Sequence, residues 1–232
     1  MMKKTLIFLI VFTSYLFSQQ FKIGLNSSLT TSFSEDVLKG IGYEPKDQYI
    51  YLYGVNLKFQ PFENIPLNSG LIFNFGNKLV SENLQYLGGF SINNTEIAYI
   101  IAKHEVSLFV LKIPLYYSIS LNEFVNLCPG FYSGWSQLRL NNIGSLISER
   151  DVKHSEIKDK NLKEKYFIEP FLELEVFLNK YFLLNFGISY KSMTYYINTK
   201  FEIDEVNVIF PIEQYKYKIN GLFYTFALNI CI

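Results

Sequence analysis

The sequence predicts an all-β protein, a closed antiparallel up-and-down transmembrane β-barrel of about eight strands, preceded by a cleaved signal peptide. Three observations lead there. Beyond residue 18 apolar residues recur with period two, and no long stretch sustains helical spacing. The links between these runs alternate between short and long, as in membrane barrels with tight turns at one end and long loops at the other. The chain also opens with an export-like segment.

That segment, MMKKTLIFLIVFTSYLFSQQ, places Lys3 and Lys4 before an apolar core from Leu6 to Phe17, interrupted by Thr13 and Ser14, then the small Ser18. The core is too short to span a bilayer comfortably, and a cleavage site after Ser18 is acceptable. The expected division is therefore a signal peptide at 1–18 and one barrel domain at 19–232. No cysteine lies nearby to suggest lipid attachment.

The strands follow in order. Phe21, Ile23, Leu25, Leu29 and Phe33 alternate with Lys22, Gly24, Asn26, Ser28 and Thr30; Tyr51, Tyr53, Val55, Leu57 and Phe59 alternate with Gly54, Asn56 and Lys58. A third run has Leu67, Leu71, Phe73 and Phe75, and a fourth, LKIPLYYSISL, has Leu111 to Leu121 opposite Lys112, Pro114, Tyr116, Ser118 and Ser120. The fifth sets Leu127, Phe131 and Trp135 opposite Cys128 and Tyr132, and the sixth sets Ile168, Leu172, Leu174, Val176 and Leu178 opposite Glu169, Glu173 and Glu175. The seventh runs from Phe182 to Tyr190, followed by Lys191, and the eighth from Leu222 to Ile232. Each is near the 9 to 11 residues or so that cross a bilayer at a tilt.

Short turns are expected around 62–66, 122–124 and 179–181, and long polar links near 34–48, 80–103, 141–165 and 196–216. LNEFV and LNKYF nearly repeat each other, and an odd loop length keeps the apolar face on one side across each turn.

Periodicity alone does not say which face is inside. The export segment, the alternation of loop lengths and a polar face rich in Gly and Asn favour apolar residues facing lipid. With about eight strands the lumen has room only for side chains. Lys22, Lys58, Lys112, Glu169, Glu173, Glu175 and Lys191 are then expected to pair as an ionic plug, since an unpaired charge there is costly. Pro114 cannot donate to a ladder, so a bulge or missing rung is expected beside it. Cys128 and Cys231 fall three strands apart, too far for a disulfide.

Function is less legible. The 21 basic and 21 acidic residues balance, which gives no electrostatic footprint for nucleic acid. No metal-ligand spacing or phosphate-binding glycine motif occurs, so no metal or cofactor is expected. The glutamates read as lumen charges rather than acid/base groups. His104, beside Glu105 and Ser107, lacks a defined third catalytic partner. The mixed-charge run from Glu149 to Lys165, which contains His154, reads as a solvated loop. The expectation is a non-enzymatic barrel acting through external loops. Three alternatives stay open: a lipid hydrolase using His104, a small channel, and a soluble periplasmic barrel that binds an apolar ligand.

The segment from Phe109 to Trp135 carries Ile113, Pro114 and Leu115, then Pro129, Gly130, Tyr132, Gly134 and Trp135. It resembles the central hairpin of the PorT-like outer-membrane β-barrel family of Bacteroidota. The resemblance implies an integral outer-membrane barrel with periplasmic N- and C-termini, surrounded by outer-membrane lipid and serving protein secretion or envelope assembly with a protein partner. Two positions differ. Ser189 and Lys191 stand where members often carry an arginine on the seventh strand, and Ile232 ends a chain that in many members ends in an aromatic residue.

Overall fold

The computed structural model describes residues 21–30, 33–39, 49–62, 65–92, 95–148, 152–153, 159–199, 202–203, 208–209 and 213–232. Segment 1–18, expected to be the signal peptide, lies outside them. Eight strands form the wall: β1 (Phe21–Thr30), β2 (Ile50–Phe59), β3 (Leu67–Ile92), β4 (Thr95–Tyr117), β5 (Val125–Ser148), β6 (Asp159–Phe177), β7 (Phe182–Thr199) and β8 (Glu213–Cys231). Each pairs antiparallel with its chain neighbours, and β8 returns to β1 from Lys22↔Cys231 to Thr30↔Phe223, which closes the barrel. Phe33 belongs to a separate segment, Phe33–Lys39, laid along β8 above the end of β1.

One end carries tight turns, built by the near-repeat in the way its sequence suggests. Asn122 Oδ1 accepts the Phe124 amide at 2.8 Å, while Asn179 Oδ1 accepts the amides of Tyr181 at 2.8 Å and Phe182 at 3.0 Å. Odd parity survives at both turns. At the first it does so through an irregularity, because Asn122 pairs with Val125 while Ser120 keeps Asn126.

At the other end the structure corrects the sequence reading. Much of the chain expected in long links is strand: β3 and β4 zip on to Ile92↔Thr95, β5 and β6 to Asn142↔Asp159, and β7 and β8 to Thr199↔Glu213. Residues 159–165 of the supposed loop therefore lie in β6. The cause is physical, since period-two alternation records a buried face against a wet one and not hydrogen bonding. A ribbon beyond the bilayer keeps its ladder after that contrast has gone.

Within the wall the apolar face points outward. Ile23, Leu25, Tyr53, Val55, Leu71, Phe73, Ile113, Leu115, Phe131, Leu172, Leu174, Phe186, Ile188, Tyr224, Phe226 and Leu228 are all exposed, whereas Lys22, Lys58, Lys112, Glu169, Glu173 and Glu175 are buried. Aromatic residues frame this belt, with Tyr117, Phe124, Tyr181 and Phe62 near the turns and Tyr51, Phe75, Tyr166 and Tyr190 toward the ribbons.

Above the second girdle the pattern inverts. Val106, Leu108 and Val110 of β4, Leu138 and Leu140 of β5, Ile197 of β7 and Tyr217 and Ile219 of β8 point inward and form one buried cluster. Outward at these heights come Glu105, Ser107, Gln137, Arg139, Lys216 and Lys218. The wall is thus inside out where it meets lipid, and has the ordinary order of a water-soluble protein beyond it.

Two interruptions stand out. Beside Pro114 the β3–β4 ladder passes from Ser69↔Leu115 to Ile72↔Lys112, skipping two rungs without a change of register, while Pro114 still faces Tyr132 of β5. The Ser69 hydroxyl donates to the Pro114 carbonyl at 3.0 Å. Opposite the gap, Gly70 presses so close to β2 that a Cβ would stand 2.1 Å from the Leu57 carbonyl oxygen. The second interruption is longer. β6 and β7 share seven paired positions, from Phe177↔Leu183 to Phe171↔Ser189, and above them each pairs only with its other neighbour. The residue at the fork is Pro170, which has no N–H to offer.

The belt has a measurable edge. Phe226→Arg, at its middle, should cost about 2–4 kcal/mol of folding free energy in lipid vesicles, whereas Gln137→Arg, beyond the girdle, should cost roughly 1 kcal/mol or less. Reversible denaturant unfolding monitored by tryptophan fluorescence measures both.

Candidate functional site

Alternation along β6 puts Glu169, Glu173 and Glu175 on one lumen-facing row, and register with its neighbours decides which cations meet them. Glu175 receives Lys22 of β1, with Nζ 2.8 and 2.9 Å from its two oxygens, and Glu173 takes a short contact from Lys58 of β2. Glu169 holds Lys112 of β4 at 3.2 Å and Lys191 of β7 at 3.6 Å. All seven charged side chains of the expected network thus converge on this row.

Neutral donors fill the remaining positions. Asn185 bridges Glu173 and Glu175 at 3.1 and 3.4 Å and accepts from Asn229 at 2.7 Å. Tyr132 donates to Glu173 at 3.2 Å, Tyr116 to Glu175 at 3.4 Å, and Ser189 to Glu169. The rings pack as well as bond: Tyr132 stacks on Phe171 with centroids 4.0 Å apart, and Lys112 Nζ stands 4.4 Å from the Tyr132 ring. Charged pairs bonded in this way in a water-poor space hold one geometry.

The arrangement fills the described lumen in two layers. The polar layer occupies the half toward the turns, and the apolar cluster of Leu52, Leu108, Leu138, Ile197 and Phe223 occupies the half toward the ribbons. That apolar layer lies outside the fourth run as the sequence delimits it, because the run begins at Leu111, one residue on the turn side of Val110. The signal was present: Val106, Leu108 and Val110 continue the inward phase of Lys112.

The residues of the hairpin motif lie on β4 and β5 as wall elements. Ile113 and Leu115 face outward, Pro114 inward; Gly134 pairs with Lys112, Trp135 with Leu111 and Gly130 with Tyr116. Pro129, opposite Leu172 of β6, is half-buried. Phe109 and Trp135 meet edge to face at 5.8 Å. The two cysteines are free thiols, Cys128 buried and Cys231 half-buried.

Among the described residues no three His, Cys, Asp or Glu side chains are grouped to hold a metal ion. The three lumen glutamates are each committed to a lysine, which removes them as free acid/base groups. His104 has a backbone place on β4 opposite Asn142, but its side chain, and the whole of His154, lie outside the described residues.

No family model matches the chain, and no curated protein matches it. Solved structures do. The outer membrane protein OprG from Pseudomonas aeruginosa superposes with a TM-score of 0.57 at 9% identity, over 92% of this chain and 95% of that one. A major outer membrane protein from Thermus thermophilus gives 0.47 at 10% identity, over 92% and 99%, and Neisserial surface protein A gives 0.37 at 10%, over 88% and 95%. At such identity the OprG match shows a shared fold, that of the outer-membrane barrels.

Removing one member of a lumen pair should cost far more than removing both. Lys58→Met alone should lower stability by roughly 3–5 kcal/mol, and Lys58→Met combined with Glu173→Leu should recover most of that loss. A double-mutant cycle of unfolding free energies in vesicles reads the difference.

Proposed function

We propose that this is a non-enzymatic integral outer-membrane protein with periplasmic termini, acting through its ribbon end as a component of protein secretion or envelope assembly. The observation that carries this reading is the contrast between the lumen and the rim. Among the described residues the lumen holds paired charges below and packed hydrocarbon above, an arrangement that supports a reading without a pore or a catalytic cleft.

The rim, by contrast, extends well past the girdle. Six of the eight strands run past the girdle as paired ribbons, bearing Gln137, Arg139, Glu164, Lys216 and Lys218 on their outer faces. The start of β1 and the end of β8 meet at the tight-turn end, where Phe21 and Ile232 exchange backbone hydrogen bonds of 3.2 and 2.8 Å. Barrels of this kind keep tight turns in the periplasm and longer connections outside, which supports the assigned orientation. The Ile113-Pro114-Leu115 and Gly130 to Trp135 motifs are similar to those of the PorT-like family, and that resemblance is what suggests secretion or envelope assembly. The partners are outer-membrane lipid around the belt and an envelope protein at the ribbons.

A photo-crosslinking residue at Gln137 or Lys218 should yield one discrete protein adduct in intact cells, and the same residue at Leu115 should yield lipid adducts only. Planar bilayers should show no stable conductance. Lipid hydrolysis by the purified barrel that vanishes in His104→Ala would contradict the reading, as would a stable conductance.

A further inference from the structure

The fork between β6 and β7 is a seam in an otherwise closed wall, and its surroundings have a chemical character of their own. Its first inward pair is Lys191 and Glu169, directly above the last rung. Above Glu169 on the same side of β6 come Phe167, Lys165 and Lys163. Their orientation follows from β5, where Ser136 faces Lys165 and Leu138 faces Lys163 across the ladder. Leu138 is 0% exposed and points into the apolar cluster, yet Lys163 and Lys165 are exposed. Lys163 and Lys165 therefore reach solvent at the open β6 edge, although the interior beside them is packed.

Charge at the seam is one-sided. The described lumen buries four lysines, Lys22, Lys58, Lys112 and Lys191, against three glutamates, Glu169, Glu173 and Glu175. The cation left over is Lys191. Its partner already binds Lys112 and Ser189, its Nζ has no hydrogen-bond acceptor, and it sits 3.8 Å from the Phe167 ring. Lys163 and Lys165 add two more cations along the same opening. The nearby Glu164 faces outward and takes the Gln137 amide at 3.2 Å.

The outer wall around the seam is apolar. Tyr166 and Ile168, on its β6 lip, are 86% and 77% exposed, among the most exposed large hydrophobic side chains described. Below the fork an outward-facing furrow of about 740 Å³ begins at Leu172 and Ile188 and continues past Phe186, Tyr224 and Phe226. That size lies within the roughly 300–1,000 Å³ in which proteins take small ligands. Lys191 stands beside the girdle residue Tyr190, with Lys165 and Lys163 just beyond it on the head-group side, and the furrow stands deeper, where acyl chains lie.

We propose that the β6–β7 seam binds one anionic membrane lipid. Its acidic head group is held by Lys163, Lys165 and Lys191, and its acyl chains lie along Ile168 and in the furrow below. The head-group oxygens offset the excess lumen cation and accept from edge N–H groups beyond the last β6–β7 rung, which among the described residues have no strand beside them. Lysines and a proline on open strand edges also deter strand addition, which argues against a peptide as the occupant.

Native mass spectrometry of the full barrel tests this, with phosphatidylglycerol and phosphatidylcholine of identical chains as probes. One phosphatidylglycerol should bind at least tenfold more tightly than phosphatidylcholine. Lys163→Glu combined with Lys165→Glu should abolish that preference while leaving phosphatidylcholine unchanged, and Lys191→Met should reduce it. Lys163 and Lys165 are exposed, so their exchange tests the site even where Lys191→Met does not fold. Equal binding of the two lipids, or a preference that survives the double charge reversal, would overturn the proposal.

Discussion

Three carboxylates on one strand organise the interior. Glu169, Glu173 and Glu175 share the inward phase of β6 and collect lysines from β1, β2, β4 and β7, so cations from four strands meet on the row of a fifth. Closure and neutralisation depend on each other here. A slip of one residue in any of these strands would turn its lysine toward lipid, and in β1 or β2 it would also strip Glu175 or Glu173 of its lysine.

The second constraint comes from outside. Up to the girdle of Tyr51, Phe75, Tyr166 and Tyr190 the solvent is hydrocarbon, and the wall turns leucines outward and charges inward. Past the girdle the solvent is water, and the same strands turn Leu108, Leu138 and Ile219 inward without changing register. One fold with two outer solvents therefore carries two cores, and their junction falls at Lys191 and Phe167, where the β6–β7 ladder also ends. With the described lumen filled, the ribbons and the seam are the surfaces on which the proposed function rests.

Much of this was written in the sequence. Eight runs, three tight turns, the outward apolar face and a broken ladder beside Pro114 all follow from period-two alternation and the chemistry of single residues. The strand extensions did not, because residues such as Glu96, Lys160 and Gln214 pair in the ladder although the sequence around them keeps no sustained apolar–polar alternation. The apolar upper lumen was missed for a related reason: at Val106 to Leu111 successive residues include apolar members of both phases, and alternation reads as a continuous run. The seam was invisible, since strand pairing beyond a proline depends on the neighbour's path as much as on the proline itself.

The central claim is the reversal of faces at the girdle, and site-directed spin labelling of the barrel in vesicles tests it most directly. Labels at Leu25 and Leu115 should be relaxed by dissolved oxygen and shielded from a water-soluble nickel complex, while a label at Lys218 should show the opposite. Nickel access at Leu25 and Leu115 equal to that at Lys218 would contradict the account, because the belt would then be facing water.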